Sequence, residues 1–200
     1  LGGIGIIVMA ITLMPIMNVG GMQLLKVSTS DTSEKILPKT KEIALRIIII
    51  YLALTFLCAL FYKIFGMKFF DSLTHSMTTI ATGGFSNYND SIGHFNNFNI
   101  EITSMIFIIL GSIPFIAYIK YLSGEKNIFF TDTQIKSFIK IIFFSILILF
   151  LYLTIFNKSF SVVSLRSVSF NVISILTGTG YVTTDFDTWG NFPLIYFLVL

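Results

Sequence analysis

Apolar and polar residues come in long blocks along this chain, not with the short periods of a soluble domain. Apolar runs cover Leu1 to about Met17, Ile43 to about Phe65, Ile100 to about Leu122 and Ile135 to about Phe156, and another opens at Asn191. Runs of this length predict membrane-spanning helices. The second is short in its uninterrupted part, Ile47 to Tyr62, but Arg46 and Lys63 flank it and extend it by snorkelling to the two interfaces. Gly111 and Pro114 predict a bend in the third. Between the runs lie two polar loops, Met22–Glu42 and Ser123–Gln134, with Pro38 expected to break the first before the next helix. Two further segments, Met67–Asn99 and Asn157–Gly190, mix polar and apolar residues.

The first mixed segment holds the stretch Asp71 to Ser86, too polar and too short to span a bilayer. It reads as a helix of about ten residues running into Thr82-Gly83-Gly84-Phe85. At about 1.5 Å per residue, such a helix covers roughly half of a hydrocarbon core of about 30 Å. Two readings stand at this point. Glycines after a helix serve as a C-cap, because they enter the left-handed region without a Cβ penalty. Alternatively, irregular backbone at membrane depth lines a water-filled cavity, where a row of carbonyls can replace an ion's hydration shell.

A second copy favours the latter. Ser164 to Phe186 again runs as a short amphipathic segment into Thr177-Gly178-Thr179-Gly180-Tyr181. Gly84 and Gly180 are 96 residues apart, and the same offset carries the apolar run at Ile43 onto that at Ile139. An internal repeat outranks any single motif.

Composition agrees with the membrane reading. The 200 residues are 54% hydrophobic and 12% charged, with a mean hydropathy of +0.86, whereas a soluble domain carries about a quarter charged residues. The net charge of +3 gives no basic surface for nucleic acid. Cys58 is the only cysteine, and His75 and His94 are the only histidines, so neither a disulfide framework nor a metal cluster is suggested. The chain begins and stops within apolar runs and reads as an internal fragment of a longer protein. Nine basic residues, Lys26, Lys35, Lys39, Lys41, Arg46, Lys120, Lys126, Lys136 and Lys140, border the two polar loops. Four, Lys63, Lys68, Lys158 and Arg166, border the glycine-rich side. This bias places the polar loops in the cytoplasm and both glycine-rich loops outside.

The fold class expected is an all-α membrane protein of repeated helix–pore loop–helix units. Its candidate cation-binding backbone is Thr82, Gly83, Gly84 and Phe85 with Gly178, Thr179, Gly180 and Tyr181. Glycine permits the conformations that turn successive carbonyls inward. The short helices aim the partial negative charge of their C-termini at the same place. Phe85 and Tyr181 are expected to wedge the loops against neighbouring helices while their carbonyls join the filter. Asp90, Asp185 and Asp187 lie on the outer loops, where they either concentrate cations or are simply solvated. His75 is expected to be packed and hydrogen-bonded. Arg166, badly placed for its helix dipole, either pairs with Asp185 or Asp187 or repels cations at the mouth.

Leu1-Gly2-Gly3-Ile4-Gly5, Val19 to Leu24, Thr79 to Ser86, Ser91-Ile92-Gly93 and Thr177 to Phe186 together resemble the bacterial Trk-type potassium uptake proteins of the Trk/Ktr/HKT superfamily. The resemblance covers nearly the whole chain. It implies four helix–pore loop–helix repeats, each giving a quarter of a potassium filter, with Gly84 and Gly180 as the central glycines of two of them. Residues 1–17 would then be the inner helix of repeat one, 18–42 and 123–134 cytoplasmic loops, 43–122 repeat two and 135–200 most of repeat three. Gly83 and Thr179 stand where potassium channels have valine, and Gly178 where they have threonine, which implies looser selectivity. The resemblance also implies a homodimer in the bacterial inner membrane, a cytosolic nucleotide-binding regulatory subunit, no cofactor beyond the transported potassium, and a gate in repeat three beyond Leu200. A sodium-coupled transporter of inverted repeats is the alternative, but the two copies here share one orientation. An intramembrane enzyme would need a buried acid–base pair, and no span shows one in the sequence.

Overall fold

A computed structural model describes residues 33–157 and 162–200, and the side chains of 42–155 and 165–200. The expected first helix, its glycines and the Val19–Leu24 motif lie outside the described residues, as does Lys158. Helices account for nearly all of the regular structure: α1 (Ser33–Ile64), α2 (Phe69–Ile80), α3 (Phe98–Ser112), α4 (Phe115–Leu122), α5 (Ile128–Thr131), α6 (Thr133–Asn157), α7 (Val162–Leu176) and α8 (Asn191–Val199). No strand occurs among the described residues.

Within α1 and α6, Glu42–Ile64 and Thr133–Ile155 are each long and apolar enough to cross a membrane. α3 and α4 together qualify as a third span if the bent pair is counted as one. Both long helices turn large side chains outward, among them Ile49, Phe56, Phe143 and Leu151. Small polar groups such as Thr55, Ser104 and Ser145 are buried. Apolar outside and polar inside suits lipid, where water does not drive hydrophobic side chains inward.

The break expected at Pro38 does not occur, and α1 runs through it. The proline falls in the second turn, and one forgone hydrogen bond there does not outweigh the long apolar run beyond it. Within the polar loop 123–134, α5 forms one short helical turn. The bend expected in the third span is a sharp elbow, with α3 and α4 meeting at 83°. Pro114 has no N–H to give the Leu110 carbonyl four residues back, and the Tyr118 hydroxyl donates to that carbonyl instead, at 2.6 Å. Ile113, Ala117, Ile128 and Ile135 pack the inside of the elbow.

α1, α2 and α3 pack together as one unit, and α6, α7 and α8 as a second, with α3 against α7 joining them. One apolar core runs across the junction, from Tyr51, Cys58 and Tyr62 through Ile92 and Ile108 to Phe170 and Tyr181. Asn97 caps α3 by accepting from the Asn99 N–H at 2.9 Å and donates to the Phe65 carbonyl at 3.1 Å, fixing the return from the first glycine-rich loop. Asp132 caps α6, accepting from the N–H groups of Gln134 and Ile135.

Candidate functional site

Both short helices end in the same way. The N–H of Gly83 donates to the Thr78 carbonyl at 2.8 Å and that of Thr82 to Thr79 at 3.1 Å. At the second copy, Thr179 donates to Ser174 at 2.9 Å and Gly178 to Ile175 at 2.9 Å. These paired bonds close a helix when the residue after the cap is left-handed, and Thr82 (φ +47°) and Gly178 (φ +70°) fill that place. The C-cap reading of the loop is therefore correct for its first half, with Thr82 and Gly178 as the capping positions.

Capping does not explain the second half. Gly84 (φ +64°) and Gly180 (φ +82°) are left-handed again, while Gly83 and Thr179 between them are not. Two left-handed residues separated by one ordinary residue turn successive peptide planes the same way. Such alternation brings a row of carbonyls onto one side. The chain then turns back to its own helix: the Thr78 hydroxyl donates to the Phe85 carbonyl at 2.9 Å, and the Ser174 hydroxyl to the Tyr181 carbonyl at 2.7 Å. Every bond of this set recurs at the offset of 96.

The loops also close on each other. A Cβ placed on Gly84 would stand 1.9 Å from the Thr179 carbonyl oxygen, so the two backbones are in contact there. The Tyr181 hydroxyl donates a bond shared between the Thr78 hydroxyl and the His75 carbonyl, the latter at 3.2 Å. Farther out, Gly93 donates to the Val182 carbonyl at 3.1 Å, and Val182 donates to the Ser91 hydroxyl at 3.3 Å. Tyr181 is 1% exposed and wedged as expected. Phe85 is not, for the residue is 77% exposed and its ring lies beside Gly83. The Phe85 ring has no hydroxyl to make the bonds that hold Tyr181 against α2.

Asp71, in the first turn of α2, complements the helix dipole. Its carboxylate accepts from the Asn87 amide at 3.0 Å and the Tyr88 hydroxyl at 2.9 Å. The Asn87 bond first, and then that of Tyr88, hold the carboxyl below the usual carboxylate range against the opposing effect of burial. His75 is fully buried and hydrogen-bonded, its Nδ1–H donating to the Asp71 carbonyl at 2.8 Å. Asp90, Asp185 and Asp187 are exposed on one open cavity of about 600 Å³ at the junction of the two loops, with Asn89 and Thr183. Asp185 also accepts from the Asp187 N–H at 3.0 Å, which caps a short turn.

Arg166 pairs with neither aspartate. Its Nε lies 3.0 Å from a carboxylate oxygen of Glu101, in the first turn of α3, and its guanidinium stands over the Phe98 ring at 5.9 Å. The two charged atoms are close but not aligned as a hydrogen bond. Glu101 is 3% exposed, so the spans do hold a buried carboxylate, neutralised across the junction between the two units. Sequence reading missed this partner, along with Thr78 and Ser174. The latter two carry a signal the repeat could have supplied: a hydroxyl seven residues before Phe85 and before Tyr181.

An all-helical membrane protein, in which two copies of a short helix and glycine-rich loop meet at their tips, is the class this arrangement defines. The family model described as TrkH, cation transport protein, matches residues 1–200, and the chain belongs to that family. Among its relatives, the Trk system potassium uptake protein TrkI of Halomonas elongata is 37% identical over all of this chain and 41% of its own length. The Trk system potassium uptake protein TrkH of Escherichia coli K12 is 34% identical over 94% of this chain and 40% of its own. The crystal structure of the potassium transporter TrkH from Vibrio parahaemolyticus superposes with a TM-score of 0.82 at 30% identity, covering 99% of this chain and 40% of that one. The chain thus spans about two fifths of the length of these relatives. The family is one of transporters and not of enzymes.

Proposed function

We propose that this chain supplies two strands of a backbone-carbonyl filter in a potassium uptake pore of the bacterial inner membrane. Thr82, Gly83, Gly84 and Phe85 form one strand and Gly178, Thr179, Gly180 and Tyr181 the other, with Phe85 and Tyr181 as the anchored ends. The observation that carries the reading is the second left-handed residue, Gly84 and Gly180, which a helix cap does not need and which both copies have. Carbonyls so arranged take the place of hydration water around a bare cation without holding it as tightly as a carboxylate would. Potassium is the ion the named relatives take up, and it is the transported species assigned here, with no covalent chemistry and no cofactor.

Residues 43–122 are one repeat of a four-repeat ring and 135–200 most of the next, and 1–17 are the inner helix of the repeat before them. The loops face outside, an orientation supported by the nine-to-four bias of basic residues. In that setting Asp90, Asp185 and Asp187 form a negative rim that raises the local concentration of cations. The full-length protein works as a homodimer with a cytosolic nucleotide-binding regulatory subunit.

The test is uptake. The full-length gene, expressed with its regulatory subunit in bacteria that lack potassium uptake, restores growth at low potassium and carries rubidium or potassium inward. No entry, with the protein present in the membrane, overturns the reading.

A further inference from the structure

Behind each glycine-rich loop stands a polar side chain with no access to solvent. His75 and Asn171, both 0% exposed, occupy the same position in α2 and α7, 96 residues apart. Each reaches past the filter strand to the chain that leaves it. With its Nδ1–H given to the Asp71 carbonyl, neutral His75 accepts at Nε2 from the Ser86 hydroxyl at 2.9 Å. Ser86 is the residue directly after Phe85. Asn171 donates from Nδ2 to the Thr184 hydroxyl at 3.2 Å, three residues after Tyr181. Its Oδ1 is buried without a partner.

A polar group in such a place carries a desolvation cost that an apolar residue of similar size does not. Packing alone therefore does not account for two of them at one repeat position, each bonded to the segment that leaves its strand, His75 to the first residue after it and Asn171 to the third. His75 is also tied to the other strand, since its backbone carbonyl accepts from the Tyr181 hydroxyl. Each strand is thus fixed at its lower end by the helix cap and at its outer end by a strut from the helix behind.

Building on the filter reading above, we infer that His75 and Asn171 are positioning residues that set the filter's discrimination between potassium and smaller monovalent cations. They touch no ion. A strand released from its strut can move inward and fit the shorter oxygen distances of sodium, so selectivity falls while a pore still forms.

The experiment compares potassium and sodium entry, and membrane abundance, for full-length wild type and variants expressed with the regulatory subunit. His75→Ala and Asn171→Ala are expected to lower the potassium-to-sodium ratio, by up to about tenfold, the limit reached when the whole free energy of one buried hydrogen bond bears on the difference between the two ions. His75→Gln, whose amide oxygen can take the place of Nε2 as the acceptor for the Ser86 hydroxyl, is expected to keep most of it. Ser86→Ala and Thr184→Val remove the partner hydroxyls from the loops and leave the helix core intact, so they give the same loss even if the alanine variants fail to reach the membrane. A wild-type ratio in the variants that reach the membrane overturns this inference alone. A wild type that carries no potassium overturns it together with the filter reading.

Discussion

Gly84 lies so close to Thr179 that a Cβ on it would stand 1.9 Å from the Thr179 carbonyl oxygen and 2.9 Å from its carbonyl carbon. Both atoms are backbone, so neither can swing aside. Gly84 also has φ +64°, where a Cβ costs about 1–2 kcal/mol before any contact is counted. Gly83 differs on both counts. Its φ is not positive, and the nearest atom to an added Cβ is the Phe85 ring at 3.5 Å. Gly84→Ala is therefore expected to abolish selective potassium uptake, and Gly83→Ala to leave most of it, when rubidium entry is measured at matched membrane levels. Equal tolerance at the two positions would contradict the contact.

The Ser174 hydroxyl holds the Tyr181 carbonyl at 2.7 Å and is fully buried. In Ser174→Ala that carbonyl loses its donor in a dry setting, a change of about 1–3 kcal/mol. Thr78 makes the matching bond to Phe85 nearer the surface, where water can substitute. Thermal unfolding in detergent should therefore show a clearly larger loss for Ser174→Ala than for Thr78→Val. The reverse order would mean that the Tyr181 end of the second strand is held by something else.

Much of the fold could be read from the chain because the repeat was visible in it. The apolar runs placed the long helices α1 and α6, and the 96-residue offset placed the two loops and their glycines. Which glycine caps and which turns a carbonyl could not be read, since that depends on the sign of φ at Thr82 and Gly84. Pro38 misled because proline is costly in a helix interior yet tolerated near a helix start when an apolar run lies beyond it. Glu101 and Arg166 are 65 positions apart, outside the repeat, with Phe70 and Phe197 at the equivalent places. Only the packing of α3 against α7 brings them together.

That ion pair has a signature of its own. Removing Arg166 leaves the Glu101 charge buried and unpaired, which costs about 3–5 kcal/mol. Removing Glu101 costs less, because the Arg166 side chain is 22% exposed. Replacing both with apolar residues of similar volume is often neutral. Glu101→Leu and Arg166→Met are each expected to lower the melting temperature and membrane abundance. The double variant is expected to recover toward wild type. Additive losses in the double variant would show that the two side chains act separately.

The elbow between α3 and α4 offers a sharper test, because one missing donor and one supplied donor can be exchanged. Pro114 leaves the Leu110 carbonyl without its helical partner, and the Tyr118 hydroxyl fills the gap at 2.6 Å. Tyr118→Phe removes that donor and should destabilise the protein by about 1 kcal/mol or somewhat more, since the site is partly buried. Pro114→Ala restores a backbone N–H that can reach the same carbonyl if the helix relaxes by a fraction of a turn. In that background Tyr118→Phe should cost less than it does in the wild type, so the double-mutant cycle returns a favourable coupling. Gly111 remains the limit on how far the helix can straighten, because a Cβ there would lie 2.7 Å from the Ile80 carbonyl oxygen at the end of α2. A cycle with no coupling would show that the Tyr118 hydroxyl does not stand in for the N–H that Pro114 lacks.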